Sequence, residues 1–321
     1  TSRPASVPVN ASSSDSELHA HSNIRGSLFM VVGMASFTMN DAITKAVSSE
    51  MNFGQVMLVR GLFASVLIAA FTYHRRALRS PRTTMMKPVA LRVAAEIGGT
   101  IAFLTAIVNL PLANTSAIFQ ALPLAVTLGA AIAFHEPVGW RRWLAISTGF
   151  VGVLVIVRPG LEGFNQYSLF ALGSVFFFAV RDLATRPIPA HIPSLFITLV
   201  TTLAVTAVGG IILFPLGGWA PPSGRALGLL ALSAVLVLVG YQYVIMALRT
   251  GDMSAVAPFR YTALLWAMLL GYLVFGDRPD RYMLLGASFI VLSGLYAFYR
   301  ERQLAGLRPA ASASAVPPEG V

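Results

Sequence analysis

SLFMVVGMASFTMNDAITKA, residues 27–46, and SLFALGSVFFFAVRDLATRP, residues 168–187, read as two versions of one apolar helix set 141 positions apart. Ser27, Leu28 and Phe29 align with Ser168, Leu169 and Phe170, while Asp41, Thr44 and Lys45 align with Asp182, Thr185 and Arg186. Apolar matches alone arise easily by chance, but matched acid, hydroxyl and base positions do not. Each stretch holds 20 residues, and at about 1.5 Å per residue it reaches across a hydrocarbon core of about 30 Å. Downstream, NTSAIFQ (114–120) resembles DMSAVAPFR (252–260), and HEP (135–137) resembles GDRP (276–279), with the offset between 138 and 141. Five apolar runs separate the copies. An odd number turns the second copy over, so the pattern predicts an inverted-topology repeat.

Working outward, ten apolar runs are predicted to span: 26–46, 53–73, 89–109, 114–134, 141–157, 168–187, 194–214, 226–248, 253–275 and 282–299. The fold class is therefore all-α integral membrane, with ten transmembrane helices arranged as 5+5. A membrane β-barrel needs alternating strands of about ten residues, and these runs are continuous. Composition agrees: 56% of the 321 residues are apolar and 11% charged, against about a quarter charged in soluble domains. The predicted units are a disordered tail (1–23), a first five-helix repeat (24–157), a second (168–300) and a disordered tail (301–321). The first tail lacks the apolar stretch of a cleavable signal, so the first helix is expected to be retained. What lies outside the spans is too short to bury a core, which excludes a soluble catalytic domain. The chain has 0 cysteines, which removes disulfides, thiolate metal sites and thiol catalysis together.

The net charge is +10. With the amino terminus inside, Arg3, Arg25, Arg75, Arg76, Arg79, Arg82, Lys87, Arg141, Arg142, Arg186, Arg249, Arg300, Arg302 and Arg308 all lie on the inner side. Lys45, Arg158, Arg225, Arg278 and Arg281 lie outside. That asymmetry predicts both termini in the cytoplasm of a cell whose inner membrane holds the protein. The basic stretch 74–87 is then an orientation signal, and no nucleic-acid partner is expected.

A chain of this length with ten spans in two inverted halves resembles the drug/metabolite transporter superfamily, in its EamA-type branch. The resemblance covers residues 24–300 and rests on NDAITK in the first helix, Arg60 and Gly61 in the second, and the HEP and GDRP turns. It implies secondary transport of a small organic metabolite through a central cavity. Members with an NDxxxK-like first helix include ones described as taking up S-adenosylmethionine; riboflavin uptake and amino-acid export also occur in this fold.

Four arginines (Arg60, Arg92, Arg181, Arg260) and three acids (Asp41, Glu96, Asp182) fall within the spans. A charge at mid-membrane costs at least about 2.5–3.5 kcal/mol on insertion scales, so each needs a partner, water or an interface. Asp41 and Arg60 sit at matching depth on successive antiparallel helices and are predicted to meet, as a packing salt bridge, as an outer gate, or with the arginine poised for a carboxylate. Lys45, one turn beyond, is expected to snorkel. At the inner end Asp182 and Arg260 repeat the arrangement imperfectly, because Thr201 stands where Arg60 would map. Arg92 and Glu96 share a helix face at a spacing of four; Glu96 is the candidate carrier of a coupling proton or half of a structural pair. Candidate substrate-binding residues are Asn40, Asp41, Arg60, Glu96, Gln120, Arg181, Tyr241, Gln242, Arg260 and Trp266, and Ser36, Ser116, Pro123, Thr127, Phe178, Phe259 and Thr262 are further candidates for the cavity wall. Polar groups among aromatics suit a small amphipathic ring-bearing solute. Gly98, Gly99, Gly149, Gly152 and Gly240 are expected to permit close helix contact.

Lys45 and Lys87 are the only lysines and neither sits in a Walker A loop, so no ATP motor is expected. The five histidines lie in a tail or loops without metal-ligand spacing, and neither cofactor nor metal is expected. The expected partners are the small-molecule substrate and the lipid bilayer. The rival reading is an integral-membrane enzyme acting on a lipid or polyprenyl substrate, which would gather its polar residues at one membrane face.

Overall fold

The computed structural model describes residues 11–76, 78–79, 85–135, 139–161, 164–189 and 191–313, and among these it forms helices and turns with no strand. α1 (Ala11–Val47) is followed by α2 (Phe53–His74), α3 (Lys87–Asn109), α4 (Leu112–Phe119), α5 (Leu122–Ala133) and α6 (Trp140–Val157). Then come α7 (Tyr167–Thr185), α8 (Ser194–Leu213), α9 (Gly224–Thr250), α10 (Met253–Val256), α11 (Thr262–Leu270) and α12 (Arg281–Ala313). Seven elements are long and apolar enough to cross a membrane: Phe53–His74, Lys87–Asn109, Leu112–Ala133, Tyr167–Thr185, Ser194–Leu213, Gly224–Thr250 and Ala257–Phe275. Trp143–Val157 and Arg281–Ala297 are apolar but shorter. α1 falls outside this set because Asn40, Asp41 and Lys45 interrupt its apolar stretch. Residues 11–23 and 301–313, read from the sequence as tails, extend α1 and α12. The basic stretch 74–87 and the HEP turn fall partly outside the described residues.

Local chemistry explains the helix limits. Asn52 caps α2 by accepting from the Gln55 N–H at 3.0 Å, and Ser223 caps α9 by accepting from Ala226 at 3.0 Å. Two crossings are interrupted, Leu112–Ala133 within its first half and Ala257–Phe275 at its start. Pro123 opens α5 just past the break at Gln120–Ala121, and Pro258 opens a 3-10 turn over Ala257–Tyr261. Proline removes an N–H and clashes with the preceding turn, so the ladder restarts there. A π-turn follows over Gly271–Phe275.

Helices of the first half pack mainly on helices of the second: α1 on α9, α2 on α8, α3 on α7, α6 on α12, and α4 on α11. Glycine makes the closest of these contacts possible. A Cβ on Gly99 would stand 2.9 Å from Phe178, and one on Gly240 would stand 2.9 Å from Phe37. Gly152 and Gly286 bring α6 and α12 so close that either Cβ would meet a backbone oxygen, at 2.6 and 2.4 Å. Gly98 lies equally tight on Phe177, and Gly149 on Leu124. All five glycines singled out in the sequence therefore lie at helix contacts. Core packing is apolar around Ile118, Val153, Val175 and Ile290, while Leu28, Val66, Ile211 and Leu292 are exposed on the outer faces, as a bilayer requires.

Candidate functional site

Two polar groups interrupt the apolar interior. The first centres on buried Asn40 of α1. Its Nδ2 donates to Asp41 Oδ1 at 2.9 Å, and its Oδ1 accepts from the buried Ser233 hydroxyl at 2.5 Å and from Arg60 Nη1 at 3.4 Å. α1, α2 and α9 thus meet through one amide. Asp41 and Arg60 are electrostatic neighbours, yet no ion pair joins them; Asn40 stands between. The expected direct pair is corrected to an amide-bridged one, because Asn40 hydrogen-bonds both side chains. Ser233 was not singled out in the sequence. Its signal was a lone hydroxyl in the apolar run LALSAVLVL (230–238).

The second group centres on Arg181 of α7. Its Nη1 donates to Glu96 Oε2 on α3 at 3.2 Å, its other side holds Asp182 Oδ1 at 2.8 Å, and its guanidinium lies 4.6 Å from the Phe178 ring centroid. The planar fork reaches two acids at once. Arg92 does not pair with Glu96, as their spacing suggested. It donates instead to Thr185 and Thr201, each at 2.9 Å. A spacing of four puts two residues on one face, but the close α3–α7 contact offers Glu96 a better partner. Asp182 is likewise taken by Arg181 rather than Arg260.

The two groups occupy corresponding positions. Adding 141 to Asn40, Asp41 and Arg60 gives Arg181, Asp182 and Thr201, and subtracting it from Ser233 gives Arg92. The cation that α2 supplies in one group comes from α3 in the other. Between them lies Tyr241, 51% exposed although it sits deep in α9, with Glu96, Arg181 and Arg92 as electrostatic neighbours and the Phe37 ring 5.0 Å away, edge-on. Its half-exposed ring therefore stands among charged side chains of both polar groups. Gln242 beside it is exposed and Trp266 half-buried; the Trp266 indole N–H is buried with no partner among the described residues. Gln120, at the break between α4 and α5, donates to the Arg260 carbonyl in the opposite break at 3.1 Å. The two broken crossings therefore touch at their breaks.

The two ends of the bundle differ. At one, Lys45 Nζ donates to the Ile107 and Leu110 carbonyls at 2.8 and 2.6 Å and lies 5.3 Å from the Phe275 centroid. A cation on the last carbonyls of a helix is favourably placed. Lys45 therefore closes onto α3 instead of snorkelling. Around it Ala42, Met57, Leu104, Ile107, Leu112 and Ala267 form a closed apolar cluster. At the other end Arg186 stacks over Phe134 at 5.4 Å, which is the same cation-on-ring contact moved by 141 in both partners. There the cluster is missing. Leu104 and Ile107 are 1% and 0% exposed, whereas Ile245 and Leu248, their counterparts, are each 45% exposed. Thr44 is buried and Thr185 exposed.

This arrangement of polar groups between interrupted crossings, with equivalent positions buried around Lys45 and exposed around Arg186, coincides with what sequence comparison finds: the EamA-like transporter family model matches residues 24–158 and again residues 166–299. The chain belongs to the EamA-like transporter family. It is a multi-pass membrane protein and a secondary transporter of a small metabolite, not an enzyme. This EamA-like chain is 31% identical to a riboflavin transporter of Vibrio cholerae over 278 residues, covering 85% of this chain and 92% of the relative. It is 25% identical to an S-adenosylmethionine uptake transporter of Rickettsia felis, over 86% of this chain and 92% of that one. A pseudopaline exporter of Pseudomonas aeruginosa is 23% identical over 84% of this chain and 94% of its own. A solved crystal structure superposes with a TM-score of 0.61 at 17% identity, covering 87% of this chain and 98% of that one, which shows a shared fold.

Proposed function

We propose that this EamA-like transporter carries a small, amphipathic, ring-bearing metabolite across the cytoplasmic membrane by alternating access. In this reading ten crossings form two inverted halves, 24–157 and 168–300, with both termini cytoplasmic and the solute held between the Asn40 and Arg181 groups. One observation carries the proposal: equivalent positions are sealed around Lys45 and open around Arg186. A repeat whose copies are related by inversion has two conformations of similar energy, in which the halves exchange roles. Further support comes from the family model matching twice. Cross-half packing and the Gly99–Phe178 and Gly240–Phe37 contacts, which interconvert by 141, point the same way. The Lys and Arg asymmetry supports the orientation, placing the open end at the cytoplasm. The relatives' solutes, riboflavin and S-adenosylmethionine, each join a flat heteroaromatic ring to a polar chain. That chemistry fits Tyr241, Phe259 and Trp266 among amides and charges. Glu96, half-buried and held by Arg181, is the group we assign to a coupling proton.

The test is uptake into proteoliposomes of the purified protein. Riboflavin, S-adenosylmethionine and the hits of a thermal-shift metabolite screen are each offered with and without an imposed pH gradient. Saturable, gradient-stimulated uptake of at least one solute is expected. Binding without uptake of any of them would sink the transport reading.

A further inference from the structure

We infer that Arg260 is the docking point for an anionic group of the substrate, and that this group is a carboxylate. The inference rests on the transporter reading for the solute's access to the cavity, and on charge accounting for the rest. Away from the ends of the spans read from the sequence, Asp41, Glu96 and Asp182 face Arg60, Arg92, Arg181 and Arg260. Arg60 is compensated by Asp41 through Asn40. Arg181 holds Glu96 and Asp182. Arg92 spends its donors on Thr185 and Thr201 beside those same acids. Lys45 closes on helix-end carbonyls, with Asp277 as its electrostatic neighbour. One positive charge is left over. It sits on Arg260, whose guanidinium makes no hydrogen bond and no ion pair among the described residues.

Its placement is that of a binding group. Arg260 is exposed, on a 3-10 turn packed against α1, α10, α11 and α12. Gln120 holds its carbonyl at 3.1 Å. Its electrostatic neighbours include Arg181 and Asp182, so it looks across the interior at α7. An uncompensated arginine at this depth is costly, and the cost falls when a ligand brings the missing charge. A carboxylate supplies one negative charge and two oxygens that match the guanidinium fork. A phosphate monoester carries about −1.5 to −2 at neutral pH and would overshoot the balance.

The experiment measures binding to the detergent-solubilised full chain with matched probes. These are tryptophan against tryptophanamide, S-adenosylmethionine against its decarboxylated form, and riboflavin against riboflavin 5′-phosphate. The carboxylate member of at least one pair is expected to bind about tenfold more tightly than the counterpart that lacks the carboxylate. Arg260→Gln should bring that ratio close to one, and Arg260→Lys, which keeps the charge but loses the fork, should leave an intermediate ratio. Size-exclusion profiles matching the wild type establish that both variants are folded. An unchanged ratio in Arg260→Gln overturns the inference. So does equal binding of acid and amide, a preference for the phosphate, or binding of no carboxylate at all. Uptake separates this inference from the one beneath it. Carboxylate binding that depends on Arg260 without uptake removes the transport reading and leaves the anion site standing. Uptake of neutral riboflavin alone keeps the transport reading and removes the anion site.

Discussion

The Lys45 end and the Arg186 end are built from the same pattern, and only one of them is closed. At the first, a lysine reaches the terminal carbonyls of α3 while Leu104 and Ile107 pack in a dry cluster. At the second, an arginine meets a phenylalanine at nearly the same separation, but Ile245 and Leu248 remain exposed. Identical chemistry in two states of packing shows that the cation–ring contact does not itself seal an end. The ends differ in the apolar cluster, which takes Leu104 and Ile107 out of solvent at the first alone.

The contrast can be broken most directly by cysteine labelling, since the chain has 0 cysteines of its own. Ile245→Cys and Leu248→Cys should react with a membrane-impermeant maleimide about a hundredfold faster than Leu104→Cys and Ile107→Cys, the ratio for a 99:1 equilibrium. Equal rates would mean that the two ends do not differ in solution. The next largest effect is expected in the Asn40 group. Asp41→Asn and Arg60→Gln should each lower transport by roughly tenfold or more by stranding a charge, and the double variant should lose less than the two losses combined. Additive losses would show that Asn40 does not couple them. Glu96→Gln should remove accumulation driven by a pH gradient while leaving solute exchange largely intact; undiminished accumulation returns Glu96 to a structural role beside Arg181. Lys45→Met should raise the labelling rate of Ile107→Cys severalfold by releasing the α3 carbonyls. No change would assign the seal wholly to the apolar cluster.

The smallest effect concerns Asp280, outside the crossings, which caps α12 through the Met283 N–H at 2.7 Å and forms an ion pair with Arg158. Burial opposes its charged form. The hydrogen bonds from Arg158 and Met283 and the Arg158 charge outweigh that and hold the carboxyl below its ordinary value. A lowered folded value means the stabilisation is complete above pH 3.8 and disappears as the pH falls through the folded value. Asp280→Ala should therefore cost about 1 kcal/mol, evenly between pH 8 and 5, with the deficit shrinking only in stronger acid. A deficit that varies across neutral pH would point to a different titrating group.

Much of the fold was legible because membrane insertion writes a coarse code in apolar length and in charge at the helix ends, whereas the turn opened by Pro258 was found only in the structure. α1 shows its limit, since polar residues such as Asn40 and Asp41 dilute the hydropathy by which a span is read. Asn40, Arg60, Glu96, Arg181, Tyr241 and Arg260 could be chosen as candidates because polar and charged side chains stand out in apolar runs. Their partners could not. Spacing along a helix sets which face a side chain shares, whereas its partner depends on which helix crosses there and how closely.

The sequence by itself determined the helical membrane architecture, the 141-residue correspondence and the inventory of intramembrane charge, since each follows from residue type and period. The tertiary structure alone decided that Glu96 binds Arg181 rather than Arg92, that Asn40 parts Asp41 from Arg60, that one end is sealed, and that Arg260 is left over. Those outcomes depend on the distances between helices far apart in the chain. Glycine contacts such as Gly99–Phe178 set them to within tenths of an ångström, and no period along the sequence encodes them.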